Sequence, residues 1–232
     1  FFRKNDSLLH FVKPVFDRRV FLKTCTNGSS ELMTNLSMSL VNALYNLQLM
    51  KIAGENGVAA YGAVMYVNFI FVATFLGYAI GCAPVISYHY GAGNHAELKN
   101  LYKKSMSIIL VWGVILFGAA QLLAPVLSKI FVGYNTGLYA MTLHGFRVYA
   151  IAFLIIGINI FGSSFFTALN NGLISAVISF LRTLVFQVIM VLTLPLWFGI
   201  NGIWSAISIA EALILIMTST FFVHQKDKYH YL

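Results

Sequence analysis

Six stretches of this chain, at about 24–50, 58–90, 106–123, 138–169, 174–194 and 203–223, are long and predominantly apolar, and the segments between them are short. Crossing a bilayer as a helix takes about 20 such residues. Hydrophobic residues make up 59% of the 232 and charged residues only 9%, with a mean hydropathy of +0.80, whereas a soluble domain carries about 25% charge. The predicted fold class is therefore all-α: a polytopic membrane protein with six transmembrane helices. The opening FFRKNDSLL lacks the pattern of a signal peptide and has no initiator Met, so the chain reads as a piece of something longer. Cys25 and Cys82 match neither a disulfide framework nor a metal-site spacing and are expected to be free thiols.

The first span carries the most informative pattern. At about 100° per residue, Glu31, Asn35, Ser39, Asn42 and Asn46 fall within an arc of roughly 80°, with Leu36, Leu40, Leu44 and Leu47 opposite. Unpaired polar groups in hydrocarbon cost several kcal/mol, so this stripe is expected to face a cavity or other helices. A seam that glues helices together is the ordinary use of such residues. Five positions in register, one of them ionisable, favour a water-filled pathway.

Residues 1–23 form a basic amphipathic approach to the membrane, and residues 226–232 a polar tail. Helix two has Asn68 at its centre, and Pro84 is expected to kink it. Asn94 and Glu97 read as a capping box that opens a short amphipathic helix bearing Lys99, Lys103 and Lys104. Helix three is apolar on nearly every face. Helix four contains Arg147 and Asn159 and is stopped by Asn170, Asn171 and Gly172. Helix five carries Arg182 and Gln187, and helix six contains Glu211. Eleven of the 15 Lys and Arg residues lie in segments that share one side if the N-terminus is cytoplasmic, while Lys51 and Lys129 are left outside. The positive-inside bias thus places both termini in the cytoplasm and accounts for the net charge of +8 without nucleic acid as a partner.

Residues 77–94, GYAIGCAPVISYHYGAGN, resemble the segment that closes the second helix of a lobe in the multidrug and toxic compound extrusion (MATE) family. NGSSELMTNLSMSLVNALYN at 27–46 is similar to the seventh helix of a clostridial-type branch of it. LPLWFGINGIWSA at 194–206 resembles the turn before the last helix, and KPVFDRRVFLK the linker between lobes. The resemblance implies one six-helix lobe, the C-terminal one, of a twelve-helix transporter in a bacterial inner membrane, with the N-terminal lobe and membrane lipids as partners. It implies export of drugs or organic cations, small cationic or amphipathic molecules, in exchange for Na⁺ or H⁺ by alternating access, with no cofactor, no metal and no enzymatic step. Where several members place a mid-membrane carboxylate in the helix corresponding to four, this chain has Asn159.

Glu31 and Glu211 are the candidate ion-coupling residues, because a partly buried carboxylate can exchange a proton or a cation during a cycle. For Glu31 the alternative is a structural bond near a helix start, and for Glu211 a buried basic or polar partner. Asn35, Asn42, Asn46, Asn68, Arg147 and Asn159 are the candidates for lining the cavity, with Arg147 also expected to seek a carboxylate. Tyr45, Met65, Phe69 and Phe71 could wall a pocket for lipophilic cations. Two other functions fit less well. A flippase for lipid-linked precursors would want a wider basic cavity. An intramembrane serine protease would need a nucleophile among Ser29, Ser30, Ser163 and Ser164, and His144 has no evident spacing relation to any of them.

Overall fold

The computed structural model describes the backbone of residues 16–231 and, of these, the side chains of all but residues 20 and 22–34. The chain divides into two units, Phe1–Met33 and Thr34–Leu232. In the first, Asp17 Oδ1 accepts from the Arg19 N–H at 2.7 Å and opens the helix α1, Arg18–Gly91. Helix therefore begins ahead of the expected start at residue 24.

Within the second unit every regular element is helical: the rest of α1, then α2 (His95–Val132), α3 (Thr136–Tyr149), α4 (Phe153–Ala168), α5 (Gly172–Phe180), α6 (Phe186–Phe198) and α7 (Ile200–Tyr229). A 3-10 turn, Ala150–Ala152, joins α3 to α4, and a π turn, Leu181–Val185, joins α5 to α6. Among the described residues, five of the resulting spans are long and apolar enough to cross a membrane: Asn35–Gly91, His95–Val132, Thr136–Ala168, Gly172–Phe198 and Ile200–Tyr229.

The first span is a hairpin. Tyr61 Oη donates to Asn42 Oδ1 at 2.9 Å and its ring stacks on Tyr45 at 5.0 Å, although 19 residues of straight helix would hold positions 42 and 61 roughly 28 Å apart. The reversal sits at Gly54, whose φ of 61° and ψ of −153° suit a residue without Cβ. Its two arms correspond to the predicted helices one and two. Pro84 leaves the second arm helical, since Gly54 is the only residue of α1 outside helical geometry.

Local stops and starts follow from side chains. Asn94 Oδ1 caps α2 through the Glu97 N–H at 3.1 Å, but Glu97 accepts from Asn100 rather than reaching back, so half of the expected box forms. The amphipathic segment and helix three, expected as two elements, are one continuous α2, because nothing between Lys104 and Met106 interrupts the ladder. Of the three residues expected to stop α4, only Asn170 takes a left-handed conformation (φ 58°). Asn171 instead caps α5 through the Ile174 N–H, and Gly172 is helical.

Thr136–Ala168 is the most buried span. It packs against its neighbours through glycines: a Cβ on Gly145 would meet the Trp204 ring at 2.5 Å, one on Gly162 Thr218 Cγ2 at 2.5 Å, and one on Gly157 the Phe75 ring. Small residues allow such close backbone approach in membrane helices. One end of the bundle gathers the α1–α2 turn, the α4–α5 turn and the end of α7. Ser87 Oγ donates to Ala168 O at 2.9 Å, Asn171 Nδ2 to Tyr229 Oη at 3.0 Å, and Tyr102 packs on Tyr231 at 5.1 Å. Tyr231 is fully buried, which raises its phenol pKa well above the usual value. Gly54, the α2–α3 turn and Gly199 lie at the other end.

Gly157→Val should destabilise the fold by about 1–3 kcal/mol through overpacking against Phe75 and Ile109. Gly118→Ala, where a Cβ meets nothing within 4 Å, should be neutral or stabilising by up to about 1 kcal/mol. Thermal denaturation in detergent measures both.

Candidate functional site

The polar centre of the bundle is built by three elements on Glu211. This residue of α7 is 1% exposed, and both of its carboxylate oxygens are held. Arg182 Nε donates to Oε1 at 2.8 Å, and Asn159 Nδ2 donates to Oε2 at 2.7 Å and also to the Glu211 carbonyl at 3.0 Å. Arg182 lies on the π turn, where one extra residue per turn shifts the face of the helix; such bulges are frequent at functional sites. Asn159 comes from the apolar α4 and is itself fully buried, with Oδ1 lacking a partner among the described residues. Tyr45 of α1 and Tyr149 at the end of α3 lie within electrostatic reach of Glu211, and the Tyr45 hydroxyl is likewise buried without a partner. The result is a carboxylate removed from solvent, neutralised by one cation, with two unsatisfied polar atoms close by.

The candidate residues separate into two groups. Glu211 and Asn159 meet. Asn35, Ser39, Asn42 and Asn46 are exposed on the first arm beside its buried seam of Val41, Tyr45 and Leu49, and so are Leu36, Leu40 and Leu47, expected opposite them. Local bonds satisfy part of the stripe: Ser39 Oγ donates to Asn35 O, and Asn46 Nδ2 to Asn42 O, each at 3.0 Å. The Glu31 side chain falls outside the described residues. Asn68 is half-buried on the second arm, its Oδ1 without a partner among the described residues.

Arg147 does not find the carboxylate expected of it. It is exposed and forms no ion pair among the described residues, while its carbonyl accepts from Gln121 Nε2 at 3.0 Å. Arg182 takes the carboxylate instead, because the π turn carries it to α7. Tyr45, Met65, Phe69 and Phe71 do not form a common wall: Tyr45 is buried, Met65 and Phe71 half-buried, and Phe69 76% exposed. His144 Nε2 pairs with Asn201 Oδ1 at 2.8 Å, about five helical turns from Ser163 along the same span. That separation brings no Ser–His pair together there.

Arg182 was legible in the sequence as a charge within a span, but nothing in the sequence marked the π turn that aims it. Arg182→Met should cost about 3 kcal/mol, toward the lower end for a broken buried pair because the Arg182 side chain is 18% exposed. Replacing Arg182 and Glu211 together by Met should recover much of that loss, which chemical denaturation of the single and double variants checks.

The family model MatE matches residues 32–193. No curated protein matches the chain. Among solved structures, an inward-facing conformation of a multidrug resistance MATE family transporter of the MOP superfamily matches at TM-score 0.84 and 20% identity, over 93% of this chain and 50% of that one. An outward-facing conformation of a transporter so described matches at 0.82 and 20%, over 93% and 48%. A MOP superfamily transporter from Pyrococcus furiosus, whose binding pocket of reverse polarity suggests a different function for it, matches at 0.81 and 20%, over 91% and 48%. The chain thus spans about half the length of these structures and shares their fold. With the family model covering more than half of its residues, the chain belongs to the MatE family.

Proposed function

We propose that this chain is one lobe of a secondary transporter that exports drugs or organic cations in exchange for Na⁺ or H⁺, by alternating access against an N-terminal lobe of similar build. The observation that carries this reading is Glu211: a carboxylate buried mid-span, held by exactly the two side chains that a competing cation or proton would have to displace. Such groups are costly in a membrane and mark ion pathways. The exposed stripe Asn35, Ser39, Asn42 and Asn46 supplies a polar wall, which suits the inner face of a cavity between lobes, with Asn68 and Arg147 as further lining. The similar match to inward- and outward-facing structures supports a lobe that moves as a unit.

Glu31, on the helix of the stripe, is the second coupling candidate. Energetically, one charge crossing the membrane supplies about 2.3 kcal/mol per 100 mV, so losing the coupled ion removes the driving force even where substrate still binds. In the two-lobe protein reconstituted in vesicles, Glu211→Gln should abolish ion-driven accumulation of a lipophilic cation while keeping most of its binding. Glu31→Gln is expected to do the same, whereas Asn42→Ala weakens binding without removing ion dependence. Wild-type transport with unchanged pH and Na⁺ dependence in both Gln variants would sink the reading.

The end of the bundle that carries Tyr229 also carries Lys99, Lys103, Lys104, Lys226 and Lys228, against Lys51 and Lys129 toward the other. That asymmetry argues for a plasma membrane orientation with the Tyr229 end cytoplasmic. Cysteines introduced at Lys103 and Lys228 should be labelled from the cytoplasm and one at Lys129 from outside; labelling of all three from one side contradicts this orientation.

A further inference from the structure

Between α4 and α5 runs a row of hydroxyls that the pairing of Glu211 leaves unused. Asn159, Ser163 and Thr167 recur every fourth residue along α4, and Ser175 and Ser179 face them from α5. Thr167 Oγ1 lies 2.6 Å from Ser175 Oγ, Ser175 Oγ 2.9 Å from Ser163 Oγ, and Ser163 Oγ 2.7 Å from Ser179 Oγ. The row is unbroken from Thr167, exposed near the Tyr229 end of the bundle, to Ser179, half-buried within it. One helical turn beyond its inner end stand Asn159 on α4 and Arg182 on the π turn, the two side chains that hold Glu211. The Asn159 amide gives its Nδ2 to Glu211 and leaves Oδ1 buried without a partner among the described residues.

We infer that this row is a proton relay between Glu211 and the cytoplasmic side, so that the exchanged ion is H⁺. The inference rests on Glu211 as the coupling group and adds the ion and its path. A hydroxyl has one proton to give and two lone pairs to receive, so each member can take a proton from one neighbour as it releases its own to the next. A hydroxyl can rotate to give its proton to one neighbour or receive from another, and these three contacts set each hydroxyl against the next. Oxygens this close leave no room for Na⁺ between them. Ser163 Oγ also reaches Ser175 O at 3.3 Å, and Thr167 Oγ1 reaches Ser163 O at 3.1 Å, but both hydroxyls lie closer to a neighbouring hydroxyl than to those carbonyls.

The step balances. The O–H bond of a protonated Glu211 breaks, and the proton passes through one bridging water, for which Asn159 Oδ1 is an acceptor, to the serines. One proton then leaves the Thr167 hydroxyl for cytoplasmic water, and every hydroxyl ends with the proton count it began with. The remaining carboxylate is balanced by Arg182. The other titratable groups facing Glu211 are Tyr45 from α1 and Tyr149 from the end of α3.

The test uses the two-lobe protein in vesicles loaded with a pH-sensitive dye, with ethidium as the transported cation. Ser163→Ala combined with Ser179→Ala should slow ethidium-coupled proton movement by about tenfold or more, with ethidium affinity and thermal stability near wild type. Ser179→Thr alone, which keeps a hydroxyl, should leave the rate and the slowing of transport in D₂O as in the wild type. The relay is overturned if the double Ala variant moves protons at the wild-type rate, if the wild type accumulates ethidium on a Na⁺ gradient without proton movement, or if affinity and stability fall along with the rate. Glu211→Gln run in parallel separates the two claims. If it abolishes coupling while the double Ala variant does not, the relay fails alone; if it leaves coupling intact, the role of Glu211 fails first.

Discussion

The Glu211 carboxylate is the constraint on which the inner half of the bundle depends. Placing one charge among packed apolar helices requires a cation and hydrogen-bond donors at fixed positions, and the bundle meets that requirement with three separate elements. Asn159 commits α4 to lie beside α7, and the glycines at 145, 157 and 162 let the same span approach closely enough. Arg182 commits the segment between α5 and α6 to a π turn. Helix packing in a membrane lacks the hydrophobic drive that water supplies, so these close contacts and polar links fix the arrangement.

Much of this was legible because membrane helices write their boundaries in apolar length. The six stretches correspond to the two arms of α1 and the four later spans, with ends that differ chiefly where helix continues past the hydrocarbon, as in α2 from His95 and α7 to Tyr229. Apolar length gives no information there, since a helix outside the bilayer is held by caps and contacts. The docking of Tyr229 and Tyr231 against Asn171 and Tyr102 is a tertiary effect that no local pattern announces.

The candidate site was legible in its residue types and less so in its pairings. Glu211 and Asn159 stood out as polar residues in apolar helices, but the partner of Glu211 depends on which face Arg182 presents. Arg147 has the same chemistry and an equally deep position in sequence, yet it points outward. Sequence periodicity assumes 3.6 residues per turn, and the π turn at Leu181–Val185 breaks that assumption at the one position that matters. The hydroxyl row is the converse case. Its fourfold spacing at 159, 163 and 167 and at 175 and 179 is plain in the sequence, but serines at that spacing gain meaning only when two helices bring them face to face.

The central claim is that the state of the Glu211 carboxyl alternates during transport. Infrared difference spectroscopy of the two-lobe protein in lipid, comparing the ion-loaded with the substrate-loaded state, reads this directly. The account predicts a carboxyl band that changes between the two states and is absent from the Glu211→Gln difference spectrum. A carboxyl region that is identical in wild type and Glu211→Gln would contradict it.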